Sequence, residues 1–343
     1  MSSRLPRKLI LRNFQSPGDL LMLTAAVRDL HRCYPGRFLT DVRTCCPDLW
    51  RRNPFLTPLS ESDRTVRVID CQYPLIHQSN EREIHFINGF IDFLNGALKL
   101  DIKPTALCGD IHLAPAERRL PAAVEEILAG RRFWIICAGG KYDYTIKWWS
   151  RRRYQEVVDH FRGRLSFVQV GESGHYHPPL RDVVDLRGRT TLRDLIRLVH
   201  HADGVLCGVT LLMHLAAAVP PFRRGRCARG CVVVAGGREP PHWEAYPGHQ
   251  FLHTIGKLHC CADGGCWRSR TVPLGDGEHH DDPNHLCLDV RVGLPRCMDL
   301  ITAAHVCEAI EGYLAVQLPS RATVSRERNG RLTVGAPLNE AAQ

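Results

Sequence analysis

The feature that most narrows what this chain can fold into is alternation: strand-like and helix-like stretches follow one another in two separate series. In the first, residues 8–13 read as a strand, 19–31 as a helix, and 38–43 and 65–70 as two more strands. The helix reading rests on Leu20, Leu23, Val27 and Leu30, which share one face at a period of 3.6. Pro35 and Gly36 turn the chain, and 84–98 is a weaker helical stretch. The second series runs strand 133–138, helix 151–161, strand 165–170, helix 191–201, strand 204–208, helix 211–219, strand 231–235 and a final helix at 303–314. Leu192, Leu195, Ile196 and Val199 again form one face. Strands that alternate with helices imply parallel sheets covered on both faces. The expectation is an α/β chain of two doubly wound domains facing each other, with ligands beyond the carboxyl ends of the strands.

The break between the series falls near residues 115–129. This divides the chain into a domain at 1–125, a second at 126–316, and a polar tail at 317–343 expected to be disordered. The length of 343 residues suits two domains. Within the second domain, 256–300 departs from the pattern: it is rich in Gly, His, Asp and Cys and has little periodicity. A loop this long inside a compact domain is usually functional or held by a ligand.

Bulk properties exclude some classes. No run approaches the roughly 20 apolar residues of a membrane span, and residues 1–12 lack the pattern of a signal peptide, so a cytoplasmic protein is expected. The formal charge of +9 is spread out, with Arg151, Arg152 and Arg153 the only triple. That argues against nucleic acid as partner and suits a phosphorylated substrate or an anionic membrane surface, leaving peripheral membrane association and oligomerisation open. Fifteen cysteines in a cytoplasmic chain point to buried thiols or a metal rather than disulfides. Cys137 and Cys207 sit in apolar strand-like runs and read as core.

Three stretches carry candidate chemistry. Ser16-Pro17-Gly18-Asp19 joins the first strand to the first helix, where a helix N-terminus brings positive potential. Asp19 reads either as the helix N-cap or as a general base for an acceptor hydroxyl. Lys147-Trp148-Trp149-Ser150 follows the first strand of the second domain. Lys147 can neutralise a phosphate as a point charge, and Ser150 is placed to cap the next helix. Glu172, past the following strand, reads as a ribose ligand or as a solvated carboxylate. Thr210 can cap the helix that opens after strand 204–208, and that helix end can bind a pyrophosphate. His214 lies one turn in. Cys260, Cys261, Cys266, Cys287 and Cys297 gather in or beside the irregular segment, and four thiolates there could hold zinc or iron tetrahedrally. His259, His279, His280 and His285 are rival ligands.

Together these motifs resemble glycosyltransferase family 9, the ADP-heptose heptosyltransferases. Gly18-Asp19-Leu20-Leu21-Met22-Leu23-Thr24-Ala25-Ala26-Val27-Arg28-Asp29-Leu30 is similar to the family's G-D-x-L-x-T-x-A-x-R-x-L pattern. Lys147-Trp148-Trp149 resembles its K-x-W motif, and Thr210 through Ala216 its D-(S/T)-G-x-x-H-L-A-A-A motif. Val209 stands where that motif has Asp, and Leu211 where it has Gly. Asp185-Leu186-Arg187-Gly188 with Thr191-Leu192 resembles its D-L-x-G-x-T-S-L. The resemblance implies two Rossmann-like domains in a GT-B architecture, with an acceptor side in the first and a nucleotide-sugar site in the second. It implies Asp19 as catalytic base and Gly18, Lys147, Glu172, Thr210 and His214 on the substrate. The reaction it implies is inverting transfer of heptose from ADP-heptose to a protein or lipopolysaccharide-type glycan, with no metal needed for transfer. The alternative is a non-catalytic nucleotide-sugar-binding or scaffold protein, motivated by Val209 and Leu211. Cys260 and Cys261 through Cys266-Trp267, then Cys287 and Cys297-Met298, resemble the iron-binding segment of bacterial autotransporter heptosyltransferases. That implies a structural iron or zinc on Cys266, Cys287, Cys297 and one of Cys260 or Cys261.

Overall fold

A computed structural model describes residues 5–72, 75–222 and 229–317. The expected tail therefore lies, beyond residue 317, outside the described residues. The first series builds β1 (Arg7–Asn13), α1 (Pro17–Cys33), β2 (Phe38–Thr44), β3 (Val66–Asp70) and α2 (Asn88–Leu98). Its sheet is parallel, in the order β2-β1-β3, and has three strands among the described residues. The helix expected from residue 84 begins at Asn88. The four residues before it are tied elsewhere: Phe86 donates its backbone N–H to Trp243 O, 2.8 Å away in the second half.

After α3 (Ala122–Leu128) the second series forms β4 (Phe133–Cys137), α4 (Arg151–His160), β5 (Ser166–Gln169), β6 (Val184–Asp185), α5 (Leu192–His201), β7 (Gly204–Gly208), α6 (Leu211–Ala218), β8 (Gly230–Gly236), α7 (Pro241–Glu244) and β9 (Gln250–His253). All six strands are parallel, in the order β6-β5-β4-β7-β8-β9. β6 and β9 are too short and too exposed to show the apolar run that marks the others. β4, β7 and β8 are buried along their whole length, as expected where helices cover both faces. Phe133, Ile135 and Cys137 of β4 face α5 and α6, in one core with the N-terminal sheet. Trp134 and Ile136 face α4 and α9 (Ala303–Gln317). Gly204 and Gly230 make room for the Trp134 indole: a Cβ on Gly204 would lie 2.2 Å from it.

The chain leaves β4 for β5 on one side and returns to β7 on the other, so the strand order reverses between β4 and β7. That crevice is where open α/β sheets bind ligands. Residues 138–150 and 208–211 come off these two strand ends. The remaining segment, 254–299, contains 3-10 turns, the short hairpin β10 (Val290–Arg291) and β11 (Leu294–Pro295), and α8 (Arg296–Asp299).

Candidate active site

Asp19 is the third residue of α1, and Ser16 holds the N-cap position, so the capping alternative for Asp19 is not realised. Ser16 makes no side-chain cap hydrogen bond. Gly18 faces the His214 ring: a Cβ there would lie in ordinary contact with it, 3.4 Å from Cδ2 and 3.6 Å from Nε2. The start of α1 is thereby pressed against α6 of the other half. Lys141 Nζ donates to Ser16 Oγ across the same gap at 3.3 Å. The rest of the α1 motif is structural. Arg28, 2% exposed, donates to the Asp29 carboxylate and to the carbonyls of Ala106 and Cys108. Thr24 Oγ1 accepts the Asp110 N–H at 2.8 Å. These contacts fix the crossing loop to the helix that carries Asp19.

Lys147 ends a 3-10 turn, Tyr142–Lys147, beyond β4. The Gly208 end of β7 packs against it, a Cβ there lying 3.3 Å from Lys147 O. Lys147 Nζ pairs with Glu239 Oε1 at 2.6 Å, and Arg238 donates to the same oxygen. Both cations also lie over the Tyr144 ring, 5.4 Å from its centroid for Lys147 and 4.9 Å for Arg238. Burial works to raise Glu239, but Arg238 and Lys147 outweigh it and hold the carboxyl below its usual range. The tandem tryptophans divide their roles. Trp149 is core and donates to Ile301 O at 2.8 Å. Trp148 stacks on Tyr176 at 4.3 Å.

His214 is buried under the cleft. Its Nδ1 lies 2.6 Å from Tyr246 Oη, and its Nε2 3.4 Å from Glu244 Oε2. Burial drives His214 down to about 3, with His85 and Lys147 adding to the effect. Glu244 is raised to about 8, by burial first and then by the charge of Glu239. Near neutral pH the pair is therefore a neutral imidazole beside a largely protonated carboxyl. Asp19 is close enough to raise Glu244, and with it Tyr144, so its carboxylate and the Lys147 ammonium act on one set of buried groups.

Not every expected residue joins this site. Thr210 holds the N-cap position of α6, but its hydroxyl makes no cap hydrogen bond, and Ser150 likewise starts α4 without one. The Thr210 hydroxyl is buried instead, next to Cys207. Glu172 is 74% exposed and pairs with His175 Nδ1 at 3.4 Å, which is the solvated-carboxylate alternative. Arg238, Glu239, Glu244 and Tyr246 were not singled out from sequence. All four follow β8, whose carboxyl end beside β7 was the signal that could have found them.

Cys261, Cys266 and Cys297 come from separate stretches onto Gly236 and Gly237. A Cβ on Gly237 would lie 2.9 Å from Cys261 Sγ and 3.4 Å from Cys297 Cβ, and one on Gly236 would lie 3.3 Å from Cys297 Sγ. Cys266 N donates to Gly237 O. Burial, and then the neighbouring thiols, raise Cys260, and burial raises Cys266, Cys287 and Cys297. Cys260 acts on both Cys287 and Cys297, whereas Cys261 turns its Sγ to Thr254 O at 3.4 Å. The donor set thus suits a thiophilic metal in type. Among the described residues, the group whose ligand atoms all lie within 4.8 Å of one another is a different one, the exposed Glu278, His279 and His280.

The segment also closes on the first half. Asn80 donates to Gly265 O and accepts the Gly265 N–H, both at 2.9 Å, and accepts from Trp267 Nε1 at 3.1 Å. Behind it, fully buried Arg270 pairs with Asp276 and Asp281. Ile146 N–H donates to Ser269 O, and Thr271 N–H to Thr145 Oγ1. The cysteine segment is therefore the back wall of the Lys147 turn.

No curated protein matches this chain. The family model described as glycosyltransferase family 9 (heptosyltransferase) matches residues 79–221, which include Lys147, Thr210 and His214. Among solved structures, a family 9 glycosyltransferase from Veillonella parvula superposes with a TM-score of 0.60 at 13% identity, covering 91% of this chain and 98% of that one. The iron-containing dodecameric glycosyltransferase TibC from enterotoxigenic E. coli also gives 0.60, at 18% identity, covering 91% of this chain and 77% of that one. The E. coli ADP-heptose lipopolysaccharide heptosyltransferase II gives 0.55 at 15% identity, covering 90% and 99%. Two parallel sheets meet at a cleft, the fold this chain shares with these solved structures, and the stretch similar to the glycosyltransferase family 9 model lies across that cleft.

Proposed function

We propose that this chain transfers a heptose from ADP-heptose, with inversion at the anomeric carbon, to a hydroxyl of a protein or of a lipopolysaccharide-type glycan. The observation that supports it best is the apposition of Asp19 and Lys147 over His214, brought about by the contact of Gly18 with α6. Asp19 takes the proton of the acceptor hydroxyl as its oxygen attacks the anomeric carbon. The bond from that carbon to the β-phosphate oxygen breaks, and ADP departs. Lys147 and the α6 N-terminus meet the negative charge that grows on the leaving diphosphate. Val209 and Leu211 leave this helix without the family's Asp and Gly, so the cations after β8 and β4 bear more of that task. Contact between the halves around Ser16, Gly18 and Asn80 excludes water that would hydrolyse the donor. Asp19→Asn keeps size and fold but cannot take the proton. We expect transfer to fall by about 10²-fold or more, with donor binding retained. Near wild-type transfer in a coupled ADP-release assay would remove Asp19 from the mechanism.

TibC is iron-containing, and in this chain Cys266, Cys287, Cys297 and Cys260 would hold an iron or zinc ion. Its contribution there would be to cross-link the segment. Cys261 is the weaker candidate because its thiol is engaged with Thr254.

A further inference from the structure

Glu239 is a strongly held anion in the cleft, and it meets the lysine assigned above to the leaving diphosphate. The side chain is 2% exposed. A carboxylate so buried persists in ionised form only if it is paired, and its partners are Lys147 and Arg238, both on Oε1. Oε2 has no hydrogen-bond partner among the described residues. The whole anchorage of the Lys147 ammonium on this wall therefore passes through one oxygen atom. Glu244, five residues on, does not share the task, because it faces His214 rather than the cations. At the turn the two cations Lys147 and Arg238 share the single buried carboxylate Glu239, with the charges of Asp19 and Asp143 also reaching Tyr144 there. A diphosphate bound there gains from Lys147 and is repelled by Glu239 at close range.

We propose that Glu239 is a positioning residue that fixes Lys147 for the departing diphosphate and, by leaving a negative charge at the turn, keeps the spent nucleotide from being held too tightly. This rests on the reading of Lys147 as a diphosphate ligand. Uniform tightening of bound states does not raise turnover, and product release limits many enzymes. A fixed anion beside the phosphate-binding cation meets both demands: it orients the lysine in the empty site and weakens the grip on product.

The test uses the full chain, with ADP as the probe in titration calorimetry and ADP-heptose turnover measured alongside. Glu239→Gln removes the charge and keeps the shape. ADP affinity should rise, by about 3- to 10-fold from the loss of one like charge at close range, while turnover falls because the lysine is no longer held. Glu239→Asp keeps the charge and withdraws it by one methylene. Its ADP affinity should stay near wild type while turnover falls. A merely structural role would weaken ADP binding and turnover together, so the opposite movement in the Gln variant is the signature. Parallel loss of both, or no change in either, overturns the proposal. If the Gln variant does not fold, the Asp variant decides, and wild-type turnover there also overturns it. Failure of the wild-type chain to bind ADP would refute the assignment of Lys147 itself, a result distinct from ADP binding that is indifferent to Glu239.

Discussion

The central strands β4, β7 and β8 and the segment 254–299 lie side by side in the second half of the chain, yet they are held by different forces. The strands are apolar throughout and buried on both faces. Their stability comes from area removed from water, which depends on no side-chain ionisation. The segment has few buried apolar residues. It relies on Arg270 with Asp276 and Asp281, on Asn80 clasping Gly265, and on thiols gathered at Gly237. Burial would otherwise lower the Arg270 pKa, but the hydrogen bond it donates to Asp276 comes first and the one to Asp281 adds to it, so the guanidinium stays charged. The strands place the ligand crevice, and the segment supplies one of its walls through Ile146, Thr145 and the ring of Trp267 against Arg238. A wall of this kind can be changed without disturbing the sheet.

The largest expected effect separates the two regions most sharply. Trp134→Ala empties the pocket over Gly204 and Gly230, where the indole is fully buried. It should cost about 3–5 kcal/mol by loss of transfer energy and creation of a cavity. Denaturant unfolding followed by circular dichroism should show the whole second half destabilised together. Loss confined to 254–299 in hydrogen exchange would break the comparison, because it would mean that the segment and not the sheet is the cooperative core.

A smaller and more local effect is expected at the cysteines. Cys266→Ser should reduce bound iron or zinc, measured by elemental analysis of protein purified without chelators, and should speed amide exchange in 254–299 while β4 and β7 stay protected. Cys137→Ser should leave metal content alone, since Cys137 lies in the sheet and is raised to about 12 by burial. Equal metal content in wild type and the Cys266 variant would return these cysteines to the status of packed thiols.

The same contrast governs what could be read from the sequence. Helix α1 and strands β4, β7 and β8 were legible because a period of 3.6 or a continuous apolar run is itself the cause of their burial. The places of Asp19, Lys147 and His214 beside the crevice were legible because they follow strand ends or open helices in those elements. Glu239 and Glu244 were not, because nothing local distinguishes a buried carboxylate in Arg238-Glu239-Pro240 from a solvated one. Their character comes from Lys147 and His214, 92 and 30 residues away in sequence. The caps at Ser150 and Thr210 failed for a related reason. Residue type favoured them, but the Thr210 hydroxyl was drawn into the buried space beside Cys207. Asn80 was invisible, since an asparagine in a turn has many uses and its partner is Gly265.

That asparagine offers the gentlest probe. Gly264 lets the backbone approach the Asn80 amide: a Cβ there would lie 2.7 Å from Asn80 Cγ. Asn80→Ala removes three hydrogen bonds at a partly exposed joint, two to Gly265 and one to Trp267. At about 0.5–1.5 kcal/mol each in favourable cases, and less where water replaces them, the net cost should be about 1–2 kcal/mol. The sheet does not depend on this joint, so far-ultraviolet circular dichroism should be unchanged. What should change is the clasp between the halves: faster exchange at the Gly265 amide, a shifted Trp267 emission, and a higher KM for the donor because the Arg238–Tyr144 wall is less firmly backed. Asn80→Asp is the sharper companion. It keeps an acceptor for the Gly265 N–H and the Trp267 indole but loses the donor to Gly265 O, so it should fall between wild type and alanine. If alanine and aspartate leave the Gly265 exchange rate and the donor KM at wild-type values, the segment is fixed to the second half alone, and the cleft is closed by the Gly18–His214 contact without its help.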